Sequence, residues 1–269
     1  MTDVVNIRAR TLLGPFWRWW SYRDLVRNLV SKEIKVRYQG AVLGFAWSLM
    51  NPLMITLMYL FVFTYVFRSS QPNHALYMVT GIVHWTLFST LVTQAPEQLV
   101  GNADLLKKIY FPRLLVPLSN LLVNSVLWFM ALVVFLMLYG PLGGKLHWAL
   151  LVYPFYLLLF LGFAFGLMLI LCVLYVDFRD LKHLVEVFVQ LFFWTTPIIY
   201  PLSMVPARIR DLFLVNPLTE FTHIFQDIFW AGQLPSWQIS AAFSAWAALS
   251  LGVGLWLFYR RGAKLIERL

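Results

Sequence analysis

Six long blocks of apolar sequence constrain this chain more than any other feature, because a globular core built from 269 residues cannot hide so much apolar surface. They run from Ala41 to Phe67, Tyr77 to Ala95, Leu114 to Tyr139, Trp148 to Tyr175, Leu184 to Tyr200 and Trp237 to Tyr259. Crossing about 30 Å of hydrocarbon takes roughly 20 helical residues, and each block supplies that number or nearly so. Hydrophobic residues make up 61% of the chain and charged residues 12%, a balance that belongs in a bilayer. An outer-membrane barrel would alternate polar and apolar residues, whereas these runs are unbroken, so the spans are helices. The expected fold class is an all-α integral membrane protein with six transmembrane helices. The fifth block is short and ends in Pro197 and Pro201, which remove backbone donors and break a helix.

Basic residues set the orientation, because Lys and Arg are retained on the cytoplasmic side. With six spans, one side holds Arg8, Arg10, Arg18, Arg23, Arg27, Lys32, Lys35 and Arg37, then Lys107, Lys108 and Arg113, then Arg179 and Lys182, and finally Arg260, Arg261, Lys264 and Arg268. The other side has only Arg68, Lys145, Arg208 and Arg210. Both termini are therefore expected in the cytoplasm. The net charge of +9 then reflects topology and anionic lipid, and does not call for a nucleic-acid partner. The first forty residues are polar and basic, without the short apolar core of a cleaved signal, so the N-terminus is expected to stay attached.

Directly before the first span, Ser21 to Tyr38 reads as an amphipathic helix. Tyr22, Leu25, Val26, Leu29, Val30 and Ile34 share one face, and Arg23, Arg27, Lys32 and Lys35 take the other. A soluble amphipathic helix has the same pattern, but the apolar run that follows at once places this one in the membrane interface. Ser21 with Asp24 fits a capping box at its start, and Trp17, Trp19 and Trp20 suit the headgroup layer.

Two loops stand out. Residues 102–111, ending before Pro112 and Arg113, form a short amphipathic helix that Asn102 is expected to open. It docks a partner or rests on headgroups with Lys107 and Lys108 snorkelling; the residues alone leave both readings open. The loop from Leu202 to Ser236 is too apolar to float in water and carries two helical stretches separated by Asn216-Pro217. It is expected to dip back into the outer leaflet.

Catalytic and metal-binding patterns are lacking in the sequence. Gly143-Gly144-Lys145-Leu146 resembles a phosphate loop only superficially: Tyr139 stands where the first glycine belongs, and Leu146 replaces the magnesium-binding hydroxyl. The single Cys172 excludes an internal disulfide, and no Cys/His cluster has metal-ligand spacing. Asp177, Arg179, Asp180, Lys182, His183 and Glu186 form the densest ionisable cluster; acid-base chemistry is one reading, and bracing of helix ends at the membrane boundary is the favoured one. His84, Gln94, Glu97, Asn120 and Asn124 are costly in lipid and belong in the bundle interior or on an aqueous path, as interhelical partners or substrate contacts.

The order of several short motifs resembles the permease subunits of ABC-2 type exporters, in particular those for O-antigen, capsular or teichoic-acid polysaccharides. The motifs run from Asp24-Leu25-Val26 through Lys35-Val36-Arg37-Tyr38 and Leu43-Gly44-Phe45-Ala46-Trp47 to Asn51-Pro52-Leu53. They continue through Lys107-Lys108-Ile109-Tyr110-Phe111-Pro112-Arg113, Asp177-Phe178-Arg179-Asp180-Leu181, Pro197-Ile198-Ile199-Tyr200-Pro201 and Asn216-Pro217-Leu218-Thr219. The likeness covers nearly the whole chain. Gln226 stands where that family favours Arg, so it does not extend to a charge contact there.

The resemblance implies a homodimer in the bacterial inner membrane, with two cytoplasmic ATPase subunits that carry ATP and Mg, and no catalytic group, cofactor or metal in this chain. It implies an interface helix with Arg23, Arg27, Lys32, Lys35 and Arg37, and a coupling helix with Asp104, Leu105, Leu106, Lys107, Lys108, Ile109, Tyr110 and Phe111. Residues 202–236 would form an outer gate. The substrate would be a lipid-linked glycan within membrane lipid. Aromatic residues make up 17% of the chain and can stack on sugar rings, which makes Trp47, Tyr59, Trp85, Phe88, Trp128 and Trp194 candidate channel residues, with helix packing or an interfacial belt as the alternative. Competing readings are an exporter of a small drug or lipid, and an integral-membrane glycosyl- or acyltransferase.

Overall fold

The computed structural model describes residues 22–40, 46–62, 73–108 and 111–268, and every regular element among them is helical. In chain order these are α1 (Arg23–Tyr38), α2 (Trp47–Phe61), α3 (His74–Gln94), α4 (Glu97–Gly101), α5 (Ala103–Lys108), α6 (Leu115–Tyr139), α7 (Tyr153–Asp177), α8 (Leu181–Thr195), α9 (Ala207–Val215), α10 (Pro217–Gln226) and α11 (Trp237–Arg268). A 3-10 turn, Trp148–Val152, leads into α7, and a π turn, Asp227–Ala231, follows α10.

Among the described residues, four helical stretches are long and apolar enough to cross a membrane: His74–Gln94, Leu115–Tyr139, Trp148–Asp177 and Trp237–Arg261. They match the second, third, fourth and sixth blocks. In the fifth block α8 has 15 residues, which at 1.5 Å per residue falls short of the hydrocarbon thickness; in the first block α2 covers Trp47–Phe61, and the block extends beyond the described residues on both sides. The fifth block therefore departs from a helix expected to reach Tyr200. Thr196 is extended and Pro197 cannot donate to the preceding turn, so the helix ends at Thr195. The proposed capping Ser21 lies outside the described residues; α1 starts after Tyr22, without a side-chain cap.

The central helix is α3. Inside the protein lies 78% of its apolar window, against 28% for α11, and from Leu76 to Val92 most of its side chains are buried. That position explains why it tolerates polar residues. The hydroxyls of Thr80, Thr86, Thr90 and Thr93 donate to the carbonyls of Leu76, Ile82, Thr86 and Ser89, at 2.7–2.8 Å, so each is satisfied within its own helix. His84 is fully buried, stacks on Phe225 and pairs its Nε2 with the Tyr153 hydroxyl at 3.0 Å.

Helices α3 and α6 run antiparallel, which gives the bundle two distinct ends. At one lie Gln94, α4, α5, the start of α6, the end of α7 and the basic end of α11. At the other, Asn73 donates to the Gly143 carbonyl and Tyr139 donates to the Phe229 carbonyl, tying the end of α6 and the connection after it to the start of α3 and to the segment after α10. Asn216 explains where α10 begins: its side chain accepts from the Leu218 N–H at 3.0 Å, and Pro217 occupies the first turn.

The tightest helix crossing joins α7 to α11. A Cβ on Gly166 would lie 2.3 Å from the Ser250 carbonyl carbon, and one on Gly254 would lie 2.4 Å from the Gly166 oxygen. Small residues let the backbones approach, and the Ser250 hydroxyl crosses the seam to the Phe163 carbonyl at 2.9 Å. Gly166→Ala is expected to destabilise the detergent-purified protein by about 1–3 kcal/mol, the usual range for overpacking. Gly162→Ala, which meets nothing within 4 Å, is expected to leave it unchanged. Thermal unfolding of the two variants checks this contrast.

Candidate functional site

At the basic end, residues Leu99, Leu106, Phe111, Leu114 and Leu115 pack with Cys172, Val173, Val176 and Phe258 into a second core, against which Tyr22, Leu25 and Val26 of α1 lean. Within the range 102–111, where one amphipathic helix is expected, α5 covers Ala103–Lys108, and a second short helix, α4, precedes it on the other side of Asn102. The Asn102 side chain turns back to donate to the Gln98 carbonyl at 2.9 Å, so it does not cap the helix that follows. Ile109 and Tyr110 lie outside the described residues. Leu106 and Phe111, two of the expected coupling residues, are buried in this chain's own core. What α5 turns outward is Asp104, Lys107 and Lys108, with Leu105 half-buried.

The faces of α1 follow the predicted pattern: Arg23, Arg27, Lys32 and Lys35 are exposed, and the apolar stripe is half-buried. Arg37 is exposed as well, yet its guanidinium reaches the spans. Its Nη1 donates to Asn124 Oδ1 at 3.0 Å and its Nη2 to Gln94 Oε1 at 3.1 Å. Asn120 Nδ2 donates to Glu33 Oε1 at 2.8 Å and to the same Gln94 oxygen at 3.2 Å. Asn124 Nδ2 reaches that oxygen too, at 2.9 Å. One amide oxygen on α3 thus gathers donors from α1 and α6, a polar clasp that holds the surface helix to two spans.

Glu33 has no place in the sequence-based site, yet a signal for it exists. Val26, Val30, Glu33 and Arg37 recur at three- and four-residue steps, so Glu33 and Arg37 continue the inward stripe of α1 and stand apart from its basic face.

Beside the clasp opens a cleft of about 190 Å³ lined by Arg37, Tyr38, Trp47, Thr86, Thr90, Asn124 and Trp128, among others. It combines two indole surfaces with hydroxyl, amide and guanidinium groups, a lining suited to hydroxyl-rich ligands. Of the aromatic candidates, exposed Trp47 and buried Trp128 line it; Trp128 belongs to the main core and donates to the Val83 carbonyl at 2.7 Å. Trp85 and Phe88 are buried, Trp85 against Phe88 and Phe193, and Phe88 against Phe163 and Phe221. Trp194 is exposed on α8. The side chain of Tyr59 is outside the described set.

The ionisable cluster braces helix ends. Arg261 donates to Asp177 at 2.9 Å, joining α11 to α7, and Lys182 donates to Glu97 at 2.8 Å, joining α8 to α4. Through that hydrogen bond and its charge, Glu97 raises the pKa of Lys182 above its ordinary value. Arg179 lies over the Tyr175 ring, and His183 sits 3.5 Å from Glu186. Among the described residues no three His, Cys, Asp or Glu side chains gather as a metal site.

An N-terminal surface helix clasped to the spans, a basic two-helix loop and a broken fifth helix thus occur in one chain. The profile of the ABC-2 type transporter membrane domain matches residues 24–230. The chain belongs to that family. It is 35% identical over 240 residues to the O-antigen export system permease protein RfbA of Myxococcus xanthus, covering 86% of this chain and 92% of that protein. A Klebsiella pneumoniae protein of the same name is 33% identical over 238 residues, covering 87% and 91%. The polysialic acid transport protein KpsM of Escherichia coli is 21% identical over 245 residues, covering 88% and 93%.

Gln94→Leu removes the shared acceptor of the clasp. Interhelical hydrogen bonds in membranes average about 0.6 kcal/mol, so loss of all three is expected to cost about 2 kcal/mol. The expected result in proteoliposomes is faster trypsin cleavage after Arg27 and Lys32 at unchanged helix content; an unchanged cleavage rate would show that the clasp does not hold α1.

Proposed function

We propose that this chain is the permease subunit of an ATP-driven exporter that moves a lipid-linked polysaccharide outward across the bacterial inner membrane. O-antigen or capsule is the favoured cargo, and teichoic acid belongs to the same substrate class. The observation that carries this reading is similarity along nearly the full length to relatives named for O-antigen export. The polysialic acid transport relative extends the same chemistry to capsule.

In this reading two copies form the path and two separate ATPase subunits bind ATP and Mg. The chain crosses the membrane six times with both termini in the cytoplasm. Its first and fifth spans, built around α2 and α8, carry exposed apolar faces that include Met54, Met58, Phe188 and Leu191, surface for a second copy. The basic end faces the cytoplasm. There Lys107 and Lys108 steer the ATPase, while Leu105, Ile109 and Tyr110 supply apolar contact. Leu106 and Phe111 fix α5 to the bundle, and the clasp passes movement of α1 to α3 and α6. The substrate's sugars meet Trp47 and Trp128 in the cleft. A membrane transferase would instead need an acid or nucleophile facing its substrate, and the Asp177 cluster is committed to bracing.

Purification from native membranes is expected to bring along a soluble ATPase, and depletion is expected to trap lipid-linked glycan inside the cell; failure of both would overturn the exporter reading. Reversing charge at Lys107 and Lys108 to Glu is expected to slow ATPase association by about tenfold or more, since steering acts mainly on the on-rate. Surface-plasmon binding kinetics check it. Trp47→Leu is expected to slow export roughly three- to tenfold while leaving assembly intact, the scale of one aromatic stacking contact. Pulse-labelled surface glycan gives the measurement.

A further inference from the structure

Helix α10 is divided lengthwise. Leu218, Phe221, Ile224 and Phe225 are buried in the main core, with Phe221 against Phe160 and Phe243. Thr219, Glu220, His223 and Gln226 instead fall within about a third of the helix circumference on another side. In that stripe Thr219 Oγ1, Glu220 Oε2, His223 Nε2 and Gln226 Oε1 are shut off from solvent and have no hydrogen-bond partner among the described residues. Thr219 and Gln226 are only 1% and 2% exposed. Four of the eight such atoms found among the described residues lie on this one helix, a concentration that calls for a state in which they are paired.

A non-helical segment, residues 196–201, lies over the same side. The Asn216 amide donates to Thr196 Oγ1 at 3.4 Å, and Gln226 Nε2 donates to the Pro197 carbonyl at 3.1 Å. Tyr77 fastens the segment from α3, donating to the carbonyls of Pro197 and Tyr200 at 3.0 and 3.2 Å. Ile198 rests on Gly81, where a Cβ would come within 2.9 Å. Side-chain hydrogen bonds, the contact with Gly81 and the burial of Ile198 and Ile199 in the main core hold this cover, and no regular element has to unfold for it to lift.

We propose that the polar stripe of α10 is a saccharide-contact track at the far end of the permease, covered by residues 196–201 at rest and opened when that segment lifts. The proposal rests on the polysaccharide-export reading. Oxygens dominate the stripe and all accept hydrogen bonds, so the fitting occupant is rich in hydroxyl donors, as a sugar chain is. The apolar side of α10 stays packed throughout and keeps the track in place.

The consequence separates this role from a structural one. Thr219→Val is isosteric and removes an orphaned hydroxyl, so the resting protein is expected to unfold at the same or a higher temperature. Export should nevertheless slow, because a glycan contact is lost. The experiment uses the full permease with its ATPase, measuring surface glycan after a pulse, thermal unfolding and chemical cross-linking of the pair, for Thr219→Val alone and for Thr219→Val with His223→Leu. The expected result is export about tenfold slower in the double variant, with stability and cross-linking undiminished. Export at the native rate would overturn the proposal, as would lower stability in the single variant, which would mark the stripe as structural. Reduced cross-linking would assign it instead to contact between two copies. If the native complex itself exports no glycan, the export reading fails first, and the track falls with it.

Discussion

The α3 helix depends on being surrounded by protein, and much of the molecule is arranged to provide that enclosure. A membrane helix that carries His84, Gln94 and several threonines cannot face lipid along its length. Its threonines turn back on their own carbonyls, His84 is taken up by Thr80, Tyr153 and Phe225, and Gln94 serves α1 and α6. Because α3 contacts both ends of the machinery, each end is connected to the other through one rigid element. The clasp holds its Gln94 terminus; Tyr77, near its first turn, holds the segment after α8.

The two ends use different physics. At the basic end, charges lie outside and a compact apolar core beneath them fixes α4, α5 and the start of α1 to α7 and α11. The ion pairs Arg261–Asp177 and Lys182–Glu97 join helix ends where water still reaches them; such exposed pairs contribute little to stability, so their value is in orientation. At the far end, hydrogen bonds from side chains to freed backbone carbonyls add to the packing of Ile198, Ile199 and Phe229 in the main core. Pro197 removes a helical donor, and Tyr77 and Gln226 supply replacements. A break satisfied by side chains holds its shape and still allows rearrangement, which continuous helix would not.

Spacing in the sequence went far at positions where lipid and charge dictate the outcome. The second, third, fourth and sixth apolar blocks became helices close to their predicted bounds, and α1 turned its basic residues outward. Shorter-range inferences fared differently. Asn102 directly precedes α5, as its helix-opening character predicts, but its side-chain amide bonds back to the preceding turn, and Leu106 and Phe111, read as coupling residues, fill the chain's own core. For both, the deciding neighbour lies elsewhere in the chain: Leu106 is buried because residues of α7 and α11 arrive beside it.

The amino-acid order alone determined that this chain is an all-helical membrane protein with an amphipathic helix, Arg23–Tyr38, whose basic residues face outward, and a proline-broken segment after α8, since hydrophobicity, charge and missing donors act locally. Only the tertiary structure decided that Glu33 meets Asn120 and Arg37 meets Gln94, that Trp47 and Trp128 line one cleft while Trp85 and Phe88 pack against other aromatic rings, and that one side of α10 keeps polar atoms unpaired beneath residues 196–201. The reason is physical: polarity selects an environment, but which partner fills it depends on the helix that packing brings alongside.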